Sequence, residues 1–531
     1  MKHEIATTTK ESTLLGGGGQ EPLVLHDALS SAGFPMSSRK LLRGTAFTLT
    51  GQAATIAASA LFTPFVVRQL LPSGYGLLAF LNVLINYLAY SDVGMSAAST
   101  SFAARQECQG NPQRESEVIW TSAGLSVSLG LLVSAFVIVT SPLICDRLLH
   151  LDASLRQQGI SALRIIGGSF LLKNLAAVLN TPQLIRLRFD TYTAISSGGV
   201  LMQIVLTPAV LRFGGNLVAV AIMIAAVNGA IVALHFVIGL KLLPQLWPPT
   251  VDWHLARPLI KFGGTAVFSA ITELVLSSAE RVTLTCLISV TALGFYSVGY
   301  TYATLATVVP VAMGQVLFPM FSRLQSKESQ DELRALFRRS AMMLLVVLTP
   351  MVVLLAAGAR PVLTTWFGSL YARQSTPVAY VLLVGVVFSG MSYVPVLLLF
   401  AAGRASTVAR YRSCELIPYL LVASLLTMRY GLLGAAAGWS LRVFADCTAL
   451  YLAVEKMECN GALVDILRSS GVVGFLIPPV FLICLHPANW FWVGGVTMLS
   501  LLLYAFTVWR VILTPGEREW LAAIPNVVKA A

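Results

Sequence analysis

Eight ionisable residues lie in or at the ends of long apolar runs of this sequence: Asp92, Arg164, Lys173, Glu273, Glu280, Arg281, Arg442 and Asp446. A charge in such surroundings is costly and normally faces a cavity or another charge. Lys173 falls near the middle of its run and Arg164 nine residues earlier, which puts them about 13 Å apart along a helix and on similar faces. Arg442 is also central in its run, and Arg281 lies in the second half of another. As binding groups, these four cations would line a cleft and hold an anion there. As packing groups, Arg164 would snorkel to an interface and Arg442 would be neutralised by Asp446 one helical turn later.

The carboxylates divide in the same way. Glu273 sits about fifteen residues into its run, where desolvation raises a carboxyl pKa and a neighbouring cation lowers it. It would either exchange a proton or counter-ion, or form an internal ion pair with a cation on another helix. Glu280 next to Arg281 reads as a structural acid–arginine pair. Asp92, at the end of an apolar run, would be a gating residue or a cap for the bend at Gly94.

The elements that must position these groups are membrane helices. The 531 residues are 56% hydrophobic and 11% charged, with mean hydropathy +0.77; soluble domains carry about a quarter charged residues. With about 20 residues needed to cross the hydrocarbon core, about fourteen spans are expected. The first six are Thr45–Val67, Tyr75–Ala98, Val118–Thr140, Gly159–Thr181, Thr191–Leu211 and Leu217–Leu240. After a Pro-rich polar break come Leu259–Ile288, Leu293–Met320, Ala341–Ala357, Pro377–Ala402, Leu416–Met428 and Leu432–Val454. A last pair, Val472–Leu485 and Trp490–Val511, follows; the eleventh and thirteenth are short, which leaves counts of twelve to fourteen open.

Basic residues concentrate in cytoplasmic loops. With the N-terminus inside, 25 of the 36 Lys and Arg residues face the cytoplasm and seven face out. Both termini are therefore expected to be cytoplasmic, and the net charge of +12 needs no nucleic-acid partner. The polar stretch 1–38 is expected to be a disordered cytoplasmic tail. Asp331–Arg339, with Leu333, Leu336 and Phe337 on one face, reads as an interfacial helix. The seven cysteines have neither metal nor disulfide spacing, so no metal or other cofactor is expected.

The chain also repeats itself. At an offset of 218 residues, Arg39 overlies Arg257, Gly76 overlies Gly294, Met95 overlies Met313 and Arg105 overlies Arg323. Arg212-Phe-Gly214 overlies Arg429-Tyr-Gly431 once one residue is dropped. Six spans per copy is an even number, so the copies would be parallel repeats that face each other across a cleft. The expected architecture is an all-α polytopic membrane protein of two six-helix lobes, 39–243 and 244–456, with an extra helix pair and cytoplasmic C-terminus in 457–531.

Phe65-Val-Val-Arg-Gln-Leu-Leu-Pro-Ser-Gly-Tyr-Gly76 and Ser91-Asp-Val-Gly94 resemble the opening of bacterial polysaccharide flippases. Ala279-Glu-Arg281, Ala292-Leu-Gly-Phe-Tyr-Ser297 and Phe318-Pro-Met-Phe-Ser-Arg323 resemble the opening of that family's second lobe. The family is the Wzx-type flippases of the multidrug/oligosaccharidyl-lipid/polysaccharide exporter superfamily. Where family patterns commonly have Asp-Arg this chain has Glu280-Arg281, and Pro72 stands at a common Gly position. The resemblance implies transfer of an undecaprenyl-diphosphate-linked sugar unit from the cytoplasmic to the periplasmic leaflet of the bacterial inner membrane. Lys173, Arg442, Arg281 and Arg164 would then meet diphosphate and sugar hydroxyls, while Glu273, Asp446, Asp92 and Glu280 would serve coupling or gating. Expected partners are the lipid-linked glycan, membrane lipids, and polysaccharide polymerase and export proteins.

A proton- or sodium-coupled drug exporter of the same superfamily is the alternative, but it favours carboxylates and aromatics over mid-span cations. A polymerase or ligase would need a sizeable outer loop; the longest expected, Ala357–Thr376, is too small, and no catalytic constellation stands out. A scaffold gives no reason for the repeat or for the mid-span charges.

Overall fold

Uninterrupted apolar sequence leaves the backbone no solvent partner inside a membrane, so each segment must satisfy its own N–H and C=O groups as helix. The computed structural model describes residues 38–90, 93–149, 151–324, 330–456 and 490–507, and the described residues are helical throughout apart from short turns. In chain order the helices are α1 (Ser38–Tyr90), α2 (Val93–Cys108), α3 (Pro112–Leu143), α4 (Ala153–Leu179), α5 (Thr181–Ile185), α6 (Phe189–Arg212) and α7 (Leu217–Leu242). Then follow α8 (Ala256–Leu287), α9 (Val290–Ala303), α10 (Val308–Arg323), α11 (Gln330–Phe367), α12 (Ser369–Ala401), α13 (Ala405–Glu455) and α14 (Trp490–Thr507). Local signals set several starts. Asn111 accepts from Arg114 N with Pro112 at the first position of α3, Asn216 caps α7 through Ala219 N, and Ser289 caps α9 through Ala292 N. Each side-chain oxygen satisfies a donor that the helix start leaves open.

Two of the long helices are broken by residues with positive φ, and one of them is a hairpin. In α13 the break is Gly431, with φ 57° and ψ −129°, a conformation that side chains disfavour. A Cβ on Gly438 would lie 3.1 Å from the Cα of Ala423. In a straight helix those residues would be about 22 Å apart, so the chain reverses. In α1 the break is Leu71, with φ 59° and ψ 172°, followed by Pro72. Gly214, the offset counterpart of Gly431, also turns with positive φ, at 82°.

Eight described helical segments are long and apolar enough to cross a membrane, and two of them contain the breaks at Leu71 and Gly431. The described residues do not decide the count of fourteen. The expected span Val472–Leu485 lies outside them, as do residues 1–37; Trp490–Val511 is represented by α14. Some boundaries differ from the sequence reading. The Asp331–Arg339 segment is not a separate surface helix but the opening of α11, with Leu333 and Phe337 buried; the Phe337 ring meets Tyr451 edge-on at 5.7 Å. Nor is there a loop over Ala357–Thr376: α11 runs to Phe367 and α12 starts at Ser369, with Gly368 alone between them at φ 95°.

Two element starts lie at the 218-residue offset: α1 at Ser38 against α8 at Ala256, and α3 at Pro112 against α11 at Gln330. One close crossing follows it too. A Cβ on Gly76 would lie 1.9 Å from the Val290 carbonyl oxygen, and one on Gly294 would lie 2.3 Å from that of Pro72. Here the second limb of α1 and α9 touch backbone to backbone, and only glycine fits. Toward the other end of the bundle, Leu259 of α8 packs on Met95 and Ala98 of α2, while Leu276 and Ala279 further along α8 pack on Tyr419 and Ala423 of α13. The first and second halves of the chain therefore meet near both ends.

The connection between the halves is fastened down. Leu243 and Leu246 are buried against Val118, Ile119 and Ala123 of α3, and the Trp120 indole donates to the Leu246 carbonyl at 2.7 Å. Asp252 N donates to Thr121 Oγ1 at 3.0 Å, and Arg114 pairs with Asp252 at 2.7 Å and Glu117 at 2.8 Å. Nearby, Arg186 grips the buried Glu115 with both arms of its guanidinium, at 2.7 and 3.0 Å.

Candidate functional site

Glu273, near the midpoint of α8, has a cation on another helix. The guanidinium of Arg412, from the first limb of α13, donates to Glu273 Oε2 and lies 3.6 Å from Asp446 Oδ1 on the second limb. The hairpin at Gly431 makes this possible by bringing positions 412 and 446 side by side. Asp446 is 5% exposed and Arg412 21%, but the Glu273 side chain is 43% exposed, so it faces open space instead of packed protein. One turn past Arg412, the carboxylate oxygens of Glu415 are shut off from solvent and accept no hydrogen bond among the described residues. Glu415 lies within electrostatic reach of Asp446, Arg442, Arg412 and Glu273. Three acids and two arginines thus share this cluster.

A second chain of contacts continues from it. The guanidinium of Arg442 stands 5.6 Å from the centre of the Tyr419 ring, within cation–π range. Tyr419 Oη donates to Glu280 Oε2 at 2.7 Å, and Glu280 Oε1 is 3.4 Å from Arg281 Nε. Arg281 in turn covers the Tyr300 ring at 4.6 Å and donates to the Ser277 carbonyl at 2.9 Å. Glu280 is fully buried, and a carboxylate so placed needs these partners. Asp446 does not neutralise Arg442 by an ion pair; its ion pair is with Arg412.

The first half holds the other two cations apart from this network. Lys173 is part-buried in α4 and has no anionic partner among the described residues. Its neighbour Asn174 is buried, with both amide atoms unbonded there. Arg164 is exposed and donates to Ser141 of α3 at 3.2 Å. Asp92 lies outside the described residues. The five second-half residues singled out from the sequence (Glu273, Glu280, Arg281, Arg442 and Asp446) thus come together, and Lys173 and Arg164 do not join them.

Arg412, Glu415 and Tyr419 belong to the network but were not singled out. Their signal was the shortness of Leu416–Met428, which covers too few residues for a crossing. The helix had to extend backwards, carrying Arg412 and Glu415 inwards with it. Among the described residues no group of three or more His, Cys, Asp or Glu side chains is arranged to hold a metal ion.

A bundle of long apolar helices with charges gathered inside it is that of a polytopic membrane protein. The lipid II flippase MurJ in an inward closed conformation superimposes with a TM-score of 0.67 at 13% identity, covering 89% of this chain and all of that one. An inward-facing multidrug resistance MATE family transporter gives 0.60 at 14% identity, covering 85% and 99%. At such identities the likeness establishes the fold. The sequence goes further: residues 65–376 match the family described as "Polysaccharide biosynthesis protein", and the chain belongs to that family. It is 23% identical over 429 residues to a Shigella flexneri protein named "Putative O-antigen transporter", spanning 78% of this chain and 98% of that protein. The chain is a membrane transport protein of the flippase type, as the Wzx-like motifs implied.

Proposed function

We propose that this protein carries an undecaprenyl-diphosphate-linked oligosaccharide from the cytoplasmic to the periplasmic leaflet of a bacterial inner membrane. It would thereby supply repeat units for exopolysaccharide, capsule or O-antigen. The observation that carries this reading is Lys173, a cation within a span with no anionic partner among the described residues. A lone intramembrane cation is expensive unless it meets an anion or water, and the diphosphate of a lipid-linked sugar supplies that anion. Arg442 and Arg281, each set over a tyrosine ring, would contact the headgroup from the second half, and Arg164 would attract it at the end of α4.

The two halves act as parallel six-helix lobes, with both chain termini cytoplasmic. They rock about their meeting points so that the headgroup, entering from inside, leaves outside while the polyprenyl tail stays in lipid. The grouped acids Glu273, Asp446 and Glu415 couple this cycle to a proton or sodium ion, with Glu273 on the open side of the cluster. Glu280 holds the network in register, and Asp92 gates the opposite lobe. Polysaccharide polymerase and export proteins would receive the product. The function involves no bond-making step on the sugar.

Deleting the gene should leave lipid-linked oligosaccharide accumulating on the cytoplasmic leaflet. Normal surface polysaccharide with altered dye or drug efflux would instead support an ion-coupled multidrug exporter. The likeness to the multidrug resistance fold keeps that second reading in view.

A further inference from the structure

Away from the charged network, a crevice joins the two halves of the chain at the end of the bundle where α1 breaks at Leu71. It encloses about 290 Å³ between Leu61, Pro64, Phe65 and Arg68 of α1 and Thr365 and Trp366 of α11. Leu61 is 61% exposed, Phe65 56% and Trp366 40%. The crevice therefore opens sideways onto the surface that hydrocarbon covers. Trp366 is one residue from the end of α11, the depth at which tryptophan favours the membrane interface.

Arg68 supplies the polar end. It donates one N–H to the Thr365 carbonyl in the last turn of α11, where helix carbonyls carry partial negative charge. A guanidinium has five donors, and Arg68 has no carboxylate partner among the described residues. Donors remain for an anion. A small anion alone would leave the apolar walls unfilled, and an uncharged chain would leave Arg68 unanswered. An amphiphile with an anionic head answers both. At the low end of the size of small-molecule sites, the space suits a length of one hydrocarbon chain and is too small for a glycan.

We propose that an anionic phospholipid of the surrounding bilayer occupies this crevice. One chain lies against Leu61, Phe65 and Trp366, the phosphate sits on Arg68, and the lipid fastens the two halves together at this end.

The test is thermal unfolding of the purified full chain in detergent with added phosphatidylglycerol, phosphatidylcholine or inorganic phosphate. Phosphatidylglycerol should raise the wild-type midpoint by at least about 2 °C more than phosphatidylcholine. Arg68→Ala should abolish that difference and Arg68→Lys should keep part of it. Leu61→Trp, which fills the crevice and leaves Arg68 in place, should abolish it as well. Equal responses to the two lipids in the wild type, or a preference that survives both Arg68→Ala and Leu61→Trp, would overturn the proposal. So would an equal shift from inorganic phosphate, which would make this a bare anion site. A polyprenyl phosphate that outcompetes phosphatidylglycerol would also overturn it, by assigning the crevice to the transported class of lipid.

Discussion

Replacing Gly76 with alanine puts a methyl group where there is no room for one. Its Cβ would stand 1.9 Å from the Val290 carbonyl oxygen and 3.1 Å from Gly294 N, against an ordinary carbon–oxygen contact of about 3.3 Å. The obstacle is backbone, so no side chain can rotate away, and the two helices must separate by about 1.4 Å. At Gly294 the obstructing Pro72 oxygen is 2.3 Å off, and a shift of about 1 Å suffices. Overpacking costs about 1–3 kcal/mol, while alanine in place of glycine returns about 1 kcal/mol of helix propensity. Gly76→Ala should therefore destabilise by up to about 2 kcal/mol net and Gly294→Ala by less.

The two sites share one gap, so their effects should not add. Once α1 and α9 have separated for the first methyl, the second enters with little further movement, giving a coupling of about 1 kcal/mol. Reversible denaturation of the purified single and double variants would measure this. The reasoning fails if either single variant is more stable than the wild type, or if the double variant costs the sum of the two.

Further outcomes follow from the charges. Lys173→Ala and Arg442→Ala should lower transport at normal membrane abundance; a drop in abundance would instead mark both residues as packing groups. Glu273→Gln should remove any dependence of transport on the proton gradient, and persistence of that dependence would take Glu273 out of coupling. Arg186→Met should cost about 3 kcal/mol in denaturation, because it leaves Glu115 buried and unpaired; a change under about 0.5 kcal/mol would refute that. Hydrogen bonding from Arg114, then from the His254 N–H, holds the Asp252 carboxyl below its usual range. The linker clip is thus complete at neutral pH, persists as the pH falls through the ordinary carboxylate range, and is lost only below it. Limited proteolysis of residues 243–255 should stay slow down to about pH 4 in the wild type and be fast at neutral pH in Asp252→Asn.

What could be read from the sequence was mostly local. Gly76 and Gly294 stood out as equivalent positions, and their mutual contact gives that equivalence a physical cause, since one crossing demands glycine from both helices. Positive φ at both Gly214 and Gly431 does the same for the paired Arg-aromatic-Gly turns. Hydropathy also located the apolar body of α11, but not its extent. Leu333 and Phe337 are separated from that body by charged residues, so only their burial against the core shows that the helix is continuous. Arg412 was the main omission. It precedes the apolar run Leu416–Met428 and stands near Arg404 and Arg410, where sequence alone makes it one more loop cation. Its role depends on α13 starting at Ala405 and on the Gly431 hairpin returning Asp446 to its side, neither of which is a property of the residues around it. Lys173 was legible for the opposite reason: a lysine within an apolar run needs no partner to be conspicuous.

The fastening of residues 243–255 along α3 also bears on how the chain could be divided. Trp247 and Val251 are exposed, while the segments on either side of them are held by Leu246 and by Asp252. A cut between Trp247 and Val251 would leave each fragment with part of the matching surface: Leu243 and Leu246 with the first, Asp252 with the second. Two separately encoded pieces, 1–248 and 249–531, should therefore find each other in the membrane and reassemble, with Asp252 on Arg114 and Thr121 setting their register.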